Sequence, residues 1–320
     1  MAAVTRLAHP GWCRNLVEAA RVEPRERVLI VVDEPLVEQG SQLLAAVKDA
    51  GAEPRLELWA GKRPLANAPA RVREGVREAL VFLFLTQEPR GDEATARFEV
   101  QEGILEHGGR GIFLGFVDPP LLQGELSKPA ADLAATALRL LDALDGSSTI
   151  HVRGATGTDL TLDVTGRPWL SDALPLESGG FANFPSGEVF VAPHRHGADG
   201  VLVVDLTVPY TTEGLVDEPV VLCFDRGRVT SIEGGLSAQK LRELVADAGP
   251  GADVIAELGL GFNPTVTPRG HVMLDEKAAG TAHVAIGRNT GSYGGDNEAE
   301  IHVDCVFSAP QVEADGRPVP

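Results

Sequence analysis

The sequence predicts a doubly wound α/β domain over residues 1–147, followed by a strand-rich α+β domain over residues 148–320. Three observations predict it. A chain of 320 residues is long for one ordinary core and suits two units of roughly 150 residues each. Before residue 145, nearly all-apolar runs alternate with amphipathic stretches, the pattern of parallel strands covered by helices on both faces. At Asp145-Gly-Ser-Ser148 the texture changes, and short strand-like runs separated by glycine-rich turns take over.

The elements follow in order. An amphipathic stretch around Leu16 to Ala20 precedes the apolar strand Arg27-Val-Leu-Ile-Val-Val32. A helical pattern over Leu36 to Ala50 ends at Gly51, a residue suited to a left-handed cap, and a second strand runs Pro54 to Trp59, completing one βαβ unit. Apolar runs at Ala79 to Leu85 and Gly111 to Phe116 repeat the rhythm, and a helix over Ala130 to Leu144 closes it. No Gly-x-Gly-x-x-Gly or Walker sequence follows Val32. Asp33-Glu34-Pro35 instead puts acid where a pyrophosphate would sit, so this domain reads as scaffold. Beyond the break, strands are expected at 149–153, 159–164, 189–191, 200–206, 219–224 and 228–232. A helix is expected over Ser237 to Ala248, with Ser237 as its cap and Gly249 as its end.

Composition narrows the function classes. Hydrophobic residues make up 43% of the chain and charged residues 23%, enough apolar content for a sizeable core. Lys plus Arg number 28 against 46 Asp plus Glu, a net charge of −18 that disfavours nucleic acid and anionic lipid as partners. No apolar run is long enough to span a membrane. Cys13, Cys223 and Cys305 are odd in number and far apart, so they offer neither a disulfide framework nor a zinc knuckle. A reducing, cytoplasmic setting is expected.

The chemistry-bearing residues gather in the last third. His302 and Asp304 are two apart, so on a strand they project from one face and can serve a common ion or form a hydrogen-bonded surface pair. Glu188 in Pro185-Ser-Gly-Glu-Val-Phe190 and Glu257 in Val254-Ile-Ala-Glu-Leu-Gly-Leu-Gly261 are carboxylates leading into or lying within apolar strands. Burial of such a group costs several kcal/mol unless a cation or hydrogen bonds offset it, and the alternative for each is an edge-strand surface position. With His283 these residues make the mixed nitrogen and oxygen donor set of zinc, cobalt, manganese or iron. His194-Arg-His196 reads as an exposed polar turn in which Arg195 could meet a substrate carboxylate. His271 reads as structural or exposed, and Cys305 as core on the face opposite Asp304.

Residues 145–308 resemble the aminopeptidase T family of metallo-aminopeptidases. The resemblance lies in Gly157-Thr-Asp-Leu160, Pro185 to Pro193, Glu257-Leu-Gly-Leu-Gly261 with Asn263-Pro264, Asp275 to Gly287, and His302-Val-Asp304. It implies two divalent ions (Zn, Co or Mn) held by Glu188, Glu257, His283, His302 and Asp304, with Asp275 and Glu276 in a supporting turn. It further implies metal-assisted hydrolysis of a peptide or small amide, a homodimer, and a site enclosed between domains or at the dimer interface. The family's tyrosine, seven residues after the histidine, is here Thr290, which leaves Tyr293 as the candidate catalytic phenol. Arg288-Asn-Thr-Gly-Ser-Tyr-Gly-Gly295 is similar to the corresponding loop of the dihydroxypyridine ring-opening dioxygenases. That resemblance implies a single Fe(II) as the alternative, although Glu257 stands where their first iron histidine would be. A metal-binding relative without catalysis is the third reading.

Overall fold

A computed structural model describes residues 9–87, 93–127, 133–173, 176 and 180–320. Its contacts divide the chain into one unit of Met1–Asp132 with Leu174–Pro185, and another of Leu133–Ala173 with Ser186–Pro320. The division read from the sequence at 147/148 is thus displaced. The helix over Ala134–Leu144 groups with the second unit, and a later segment returns to the first. Residues 130–132 of the expected closing helix lie outside the described residues.

In chain order the first unit holds α1 (Gly11–Ala19), β1 (Arg27–Val32), α2 (Val37–Asp49), β2 (Glu53–Leu58), α3 (Ala70–Glu78), β3 (Val81–Leu85), α4 (Ala94–Leu105), β4 (Arg110–Leu114) and α5 (Pro119–Gln123). Then follow α6 (Ala134–Leu144), β5 (Thr149–Gly154), β6 (Asp159–Asp163), β7 (Leu170–Asp172), β8 (Phe181–Asn183), β9 (Glu188–Val191), β10 (Ala198–Val204), β11 (Val220–Asp225), β12 (Arg228–Glu233) and α7 (Leu236–Ala248). The chain closes with β13 (Ile255–Gly261), α8 (Val272–Asp275), β14 (Thr281–Gly287), β15 (His302–Ser308), β16 (Pro310–Ala314) and β17 (Arg317–Pro318).

The first unit is a parallel sheet of order β2-β1-β3-β4-β8. Leu29, Val31, Phe82 and Phe84 share one apolar cluster with Val72 and Val76 of α3 and Val100 and Ile104 of α4. On the other face α2 packs on β1 and β2, and Gly40 lets it approach Val32 and Leu56. Buried Asp33 closes the carboxyl end of β1, accepting a hydrogen bond from the Gln87 amide at 2.9 Å and another from the Thr86 hydroxyl.

The second unit has two antiparallel sheets, one of order β12-β11-β10-β6-β5-β16-β17 and one of order β15-β14-β13-β9-β7. Ile150, Leu160, Leu202 and Leu222 from the first join Val189, Leu258, Val284 and Cys305 from the second in one buried core. Because side chains alternate along a strand, every second residue of the five-stranded sheet is committed to that core and its neighbours to the opposite face. α7 departs from the sequence reading at its start. Ser237 lies inside the first turn, and Asp217 satisfies the amides of Leu236 at 2.8 Å and Ser237 at 3.1 Å. Backbone amides hold the Asp217 carboxyl down at about 2. Gly249, with φ +71°, ends the helix as expected. No helix among the described residues is long and apolar enough to cross a membrane.

Candidate metal centre

The residues singled out in the sequence come together on the outer face of the five-stranded sheet. The register sets Glu188 opposite Gly261, Gly259 opposite His283, and Ala285, next to Glu257 in the ladder, opposite Asp304; His302 pairs with Gly287. All five candidate ligands therefore project from one face, while Val189, Leu258, Val284, Val303 and Cys305 project into the core. The glycines on the site face have a purpose. A β-carbon at Gly259 would stand 2.0 Å from His283 Cε1, so the imidazole lies across the strand only because that position is bare.

Two ligand groups result, and they share a residue. Glu188, Glu257 and His283 can each bring a donor atom within 4.8 Å of the others, and so can Glu257, His302 and Asp304. His283 Nε2 is 3.1 Å from Glu257 Oε1, 3.8 Å from Glu188 Oε2 and 3.9 Å from Asp304 Oδ1. His302 Nε2 is 3.1 Å from Asp304 Oδ1 and 3.5 Å from Glu257 Oε2, and its Nδ1 donates to the Arg288 carbonyl at 2.6 Å, which orients the ring. Glu188 Oε2 and Glu257 Oε2 are buried with no hydrogen-bond partner among the described residues. Orphaned carboxylate oxygens facing imidazoles are what a cation site requires, and the donor set fits a divalent ion.

The electrostatics point the same way. Burial opposes charge on His283, but its hydrogen bond to Glu257 and the carboxylates of Asp304 and Glu188 lift it to about 10. For His302, burial is overcome chiefly by Asp304, and the group rises to about 9. Burial tends to raise Asp304, yet His302, His283 and Lys277 hold it well below the usual carboxylate range. Burial raises Glu257 despite its histidine partners. The pocket thus concentrates carboxylates and gathers protons on its imidazoles in compensation.

Tyr293 belongs to this assembly. Its ring stacks on His302, with centroids 4.6 Å apart, and meets Phe190 edge-on at 6.1 Å. Its loop is clasped by Asn289 and Asn297: Asn289 Oδ1 accepts from the Asn297 amide at 2.8 Å, and Asn297 Nδ2 donates to the Gly287 carbonyl at 2.7 Å. Arg167 Nη1 donates to the Gly294 carbonyl at 3.0 Å, and its Nη2 contacts His194 Nδ1 at 3.3 Å. His194 is thereby part of a bracket beneath the tyrosine loop rather than a free surface turn. Burial and the surrounding carboxylates push the Tyr293 phenol well above its ordinary value, so it remains a proton donor at neutral pH.

The supporting turn needs correction. Asp275 does support it, accepting from the amides of Arg269 and Gly270 at 2.8 and 2.7 Å. Glu276 instead turns into the cluster, where burial and the charges of Asp304 and Glu188, opposed by Lys277, lift it to about 8. Lys277, 1% exposed, bonds Glu188 and Glu276 and approaches Asp172, and sequence reasoning passed over it and Asp172 alike. A charged triplet set between Val272-Met-Leu274 and Ala278-Ala-Gly280 was the available signal, since a surface turn has no need of apolar flanks on both sides.

Comparison with known proteins agrees with the architecture. The chain is 31% identical over 193 residues to Aminopeptidase T of Thermus aquaticus, an alignment covering 52% of this chain and 44% of that one. It is 29% identical over 169 residues to the 2,5-dihydroxypyridine 5,6-dioxygenase of Pseudomonas putida, covering 51% and 47%. The match thus spans less than half the length of these curated relatives. The solved structure of the 2,5-dihydroxypyridine dioxygenase from Pseudomonas putida shares the fold, with a TM-score of 0.76, 21% identity, and coverage of 97% of this chain and 94% of that one. A family model described as NicX, 2,5-dihydroxypyridine 5,6-dioxygenase, matches residues 98–319, well over half of the sequence, and the chain belongs to that family.

Proposed function

We propose that the protein is a metal-dependent hydrolase of the aminopeptidase type, acting on a short peptide or small amide. The observation that carries this reading is the pair of ligand groups sharing Glu257, with an unpartnered oxygen of Glu188 facing His283 and one of Glu257 facing His302. Glu188 and His283 would hold one ion with Glu257, and His302 and Asp304 the other. The chemistry such ions supply is Lewis acidity, which polarises a carbonyl and acidifies water. The Tyr293 phenol, kept protonated by its surroundings, is the hydrogen-bond donor available to charge developing on a substrate oxygen or leaving nitrogen. Phe190 and Tyr293 give that side of the site an aromatic wall. Free thiols at Cys13, Cys223 and Cys305 support a reducing, cytoplasmic setting.

A second reading, a non-haem Fe(II) ring-cleaving enzyme, is favoured by the family match and by one contact pattern. His283 and His302 both approach Asp304 Oδ1, and two imidazoles with one carboxylate form the donor set of iron oxygenases. The discriminating experiment loads ion-stripped protein with Zn(II), Co(II), Mn(II) or Fe(II) and assays it against aminoacyl arylamides and dipeptides, and against 2,5-dihydroxypyridine in an oxygen electrode. Metal-dependent release of the amine is the expected result. Full loading without hydrolysis, accompanied by oxygen uptake only with Fe(II), would overturn the hydrolase reading in favour of the second.

A further inference from the structure

We infer that Lys277 is a positioning residue for the ion group of Glu188, Glu257 and His283: its ammonium takes one oxygen of Glu188 and leaves the other as a single, fixed donor. The inference rests on the metal-site reading above.

The sheet itself creates the need for such a cation. Asp172 on β7 pairs directly with Glu188 on β9, so two carboxylates face one another across adjacent strands. Like charges directly opposed in a ladder repel, and both side chains here are buried. Lys277 offsets that repulsion. Its Nζ is hydrogen-bonded to Glu188 Oε1, lies 2.9 Å from Glu276 Oε1, and stands 3.4 Å from Asp172 Oδ2. Its ammonium thus meets three carboxylates, two through hydrogen bonds and Asp172 as an ion pair.

The consequence for Glu188 is an asymmetry between its oxygens. Oε1 is engaged by Lys277. Oε2 is buried with no hydrogen-bond partner among the described residues and faces His283 Nε2 at 3.8 Å. A carboxylate anchored in this way offers a cation one oxygen in one direction. The backbone that delivers Lys277 is itself secured: its carbonyl accepts from the Asn263 amide at 2.8 Å, and Asn263 Nδ2 donates to the Ser186 carbonyl, two residues before Glu188. Lys277 makes no hydrogen bond or ion pair to Glu257, His302 or Asp304, so its contacts fall on the group that contains Glu188, and only its through-space charge reaches Asp304.

Two physical effects of Lys277 have opposite signs. As a bare positive charge it would repel a cation, and its removal would tighten binding. As the anchor of Glu188 it preorganises a ligand, and its removal would loosen binding. The geometry points to the second. Removing a group that orients a ligand typically lowers metal affinity by about ten- to a hundredfold.

The test is a double-mutant cycle read by metal binding. Co(II) is titrated into ion-stripped wild type, Lys277→Met, Glu188→Gln and the double variant, followed by calorimetry and the visible spectrum of the bound ion. Lys277→Met is expected to weaken one binding event by about ten- to a hundredfold, to leave the other in place, and to have no further effect in the Glu188→Gln background. Tighter binding in Lys277→Met, or an equal loss with and without Glu188, overturns the inference. Circular dichroism monitors folding. Should Lys277→Met not fold, the Lys277→Gln/Glu276→Gln variant, which removes the ammonium and its Glu276 partner together, replaces it in the cycle with the same expected and overturning outcomes. Wild type that binds no Co(II) at all overturns the metal-site reading itself, an outcome distinct from the failure of the cycle.

Discussion

Gly259→Ala is the smallest change that should dismantle the candidate site. The added β-carbon would stand 2.0 Å from His283 Cε1, 2.3 Å from Nε2 and 2.8 Å from Nδ1. Carbon atoms rest about 3.5–4.0 Å apart, so the ring must retreat by roughly 1.5 Å, far beyond the ~0.5 Å within which a ligand has to be held. The imidazole is 1% exposed, so it cannot turn out into solvent without opening the site. Gly259 lies in the middle of β13 and has no left-handed φ, so alanine suits the backbone and the conflict is with the ring alone. Overpacking of this kind costs about 1–3 kcal/mol of stability, enough to be measured and too little to unfold an ordinary domain. Divalent-ion affinity is expected to fall by at least about a hundredfold. Calorimetric titration of ion-stripped protein with Zn(II), alongside urea denaturation, measures both effects. A folded Gly259→Ala protein that binds Zn(II) with wild-type affinity would refute the reasoning, because His283 would then not be a ligand in the position described.

Four further outcomes follow from the structure. In the ion-free protein His283 and His302 hold their protons up to about 10 and about 9, so at pH 7 each divalent ion must displace the proton of the imidazole in its own group. The affinity for each ion should rise by about tenfold per pH unit below that range, with about two protons released per chain in calorimetry across buffers once both groups fill; no proton release would count against it. The same shifts set the pH dependence of the ion-free fold. Both folded values lie above the ordinary 6.5, so the stabilisation is complete below 6.5 and lost as pH rises through 9 and then 10, readable as a falling melting temperature. Tyr293→Phe should keep the ring stacked on His302 and the metal content unchanged while lowering kcat for amide hydrolysis by about a hundredfold or more, and an unchanged kcat would remove the phenol from the chemistry. Burial lifts the Cys13 thiol to about 12 and raises Cys305 as well, so in native protein at pH 8 a thiol reagent should modify the half-buried Cys223 first and the other two only on unfolding.

The long apolar strands were legible because burial on both faces, or on one, leaves its period in the letters. β1, β3 and β4 are continuous apolar runs, and β6 and β10 to β12 mark their positions nearly as clearly. The helices α3 and α4 were not legible. α3 buries only Val72, Gly75 and Val76 in a charge-rich stretch, and the apolar residues of α4 are spread around its circumference. β8 had no local cue at all. Three residues long, it joins the first sheet beside β4, about which nothing near Phe181 gives notice.

The site divides along a similar line. His302 and Asp304 could be placed on one face by spacing alone, whereas bringing in Glu188, Glu257 and His283 needed the resemblance, because strand register is a tertiary fact. One local clue was present and unread. In Glu257-Leu-Gly-Leu-Gly261 the glycines recur with period two on the side of Glu257, and bare positions on one face of a strand mark the close approach of something else. Lys277 escaped because lysine is among the residues least often buried, and only the three carboxylates around it explain why it is.

The central claim is that two ligand groups joined by Glu257 hold divalent ions, and counting ions in wild type and Glu257→Gln tests it most directly. Protein loaded with Zn(II), dialysed against metal-free buffer and analysed by plasma mass spectrometry should retain about two ions per chain as wild type and essentially none as Glu257→Gln, since the variant weakens both groups at once. Wild type that retains no ion, or Glu257→Gln that retains as many as wild type, would contradict it.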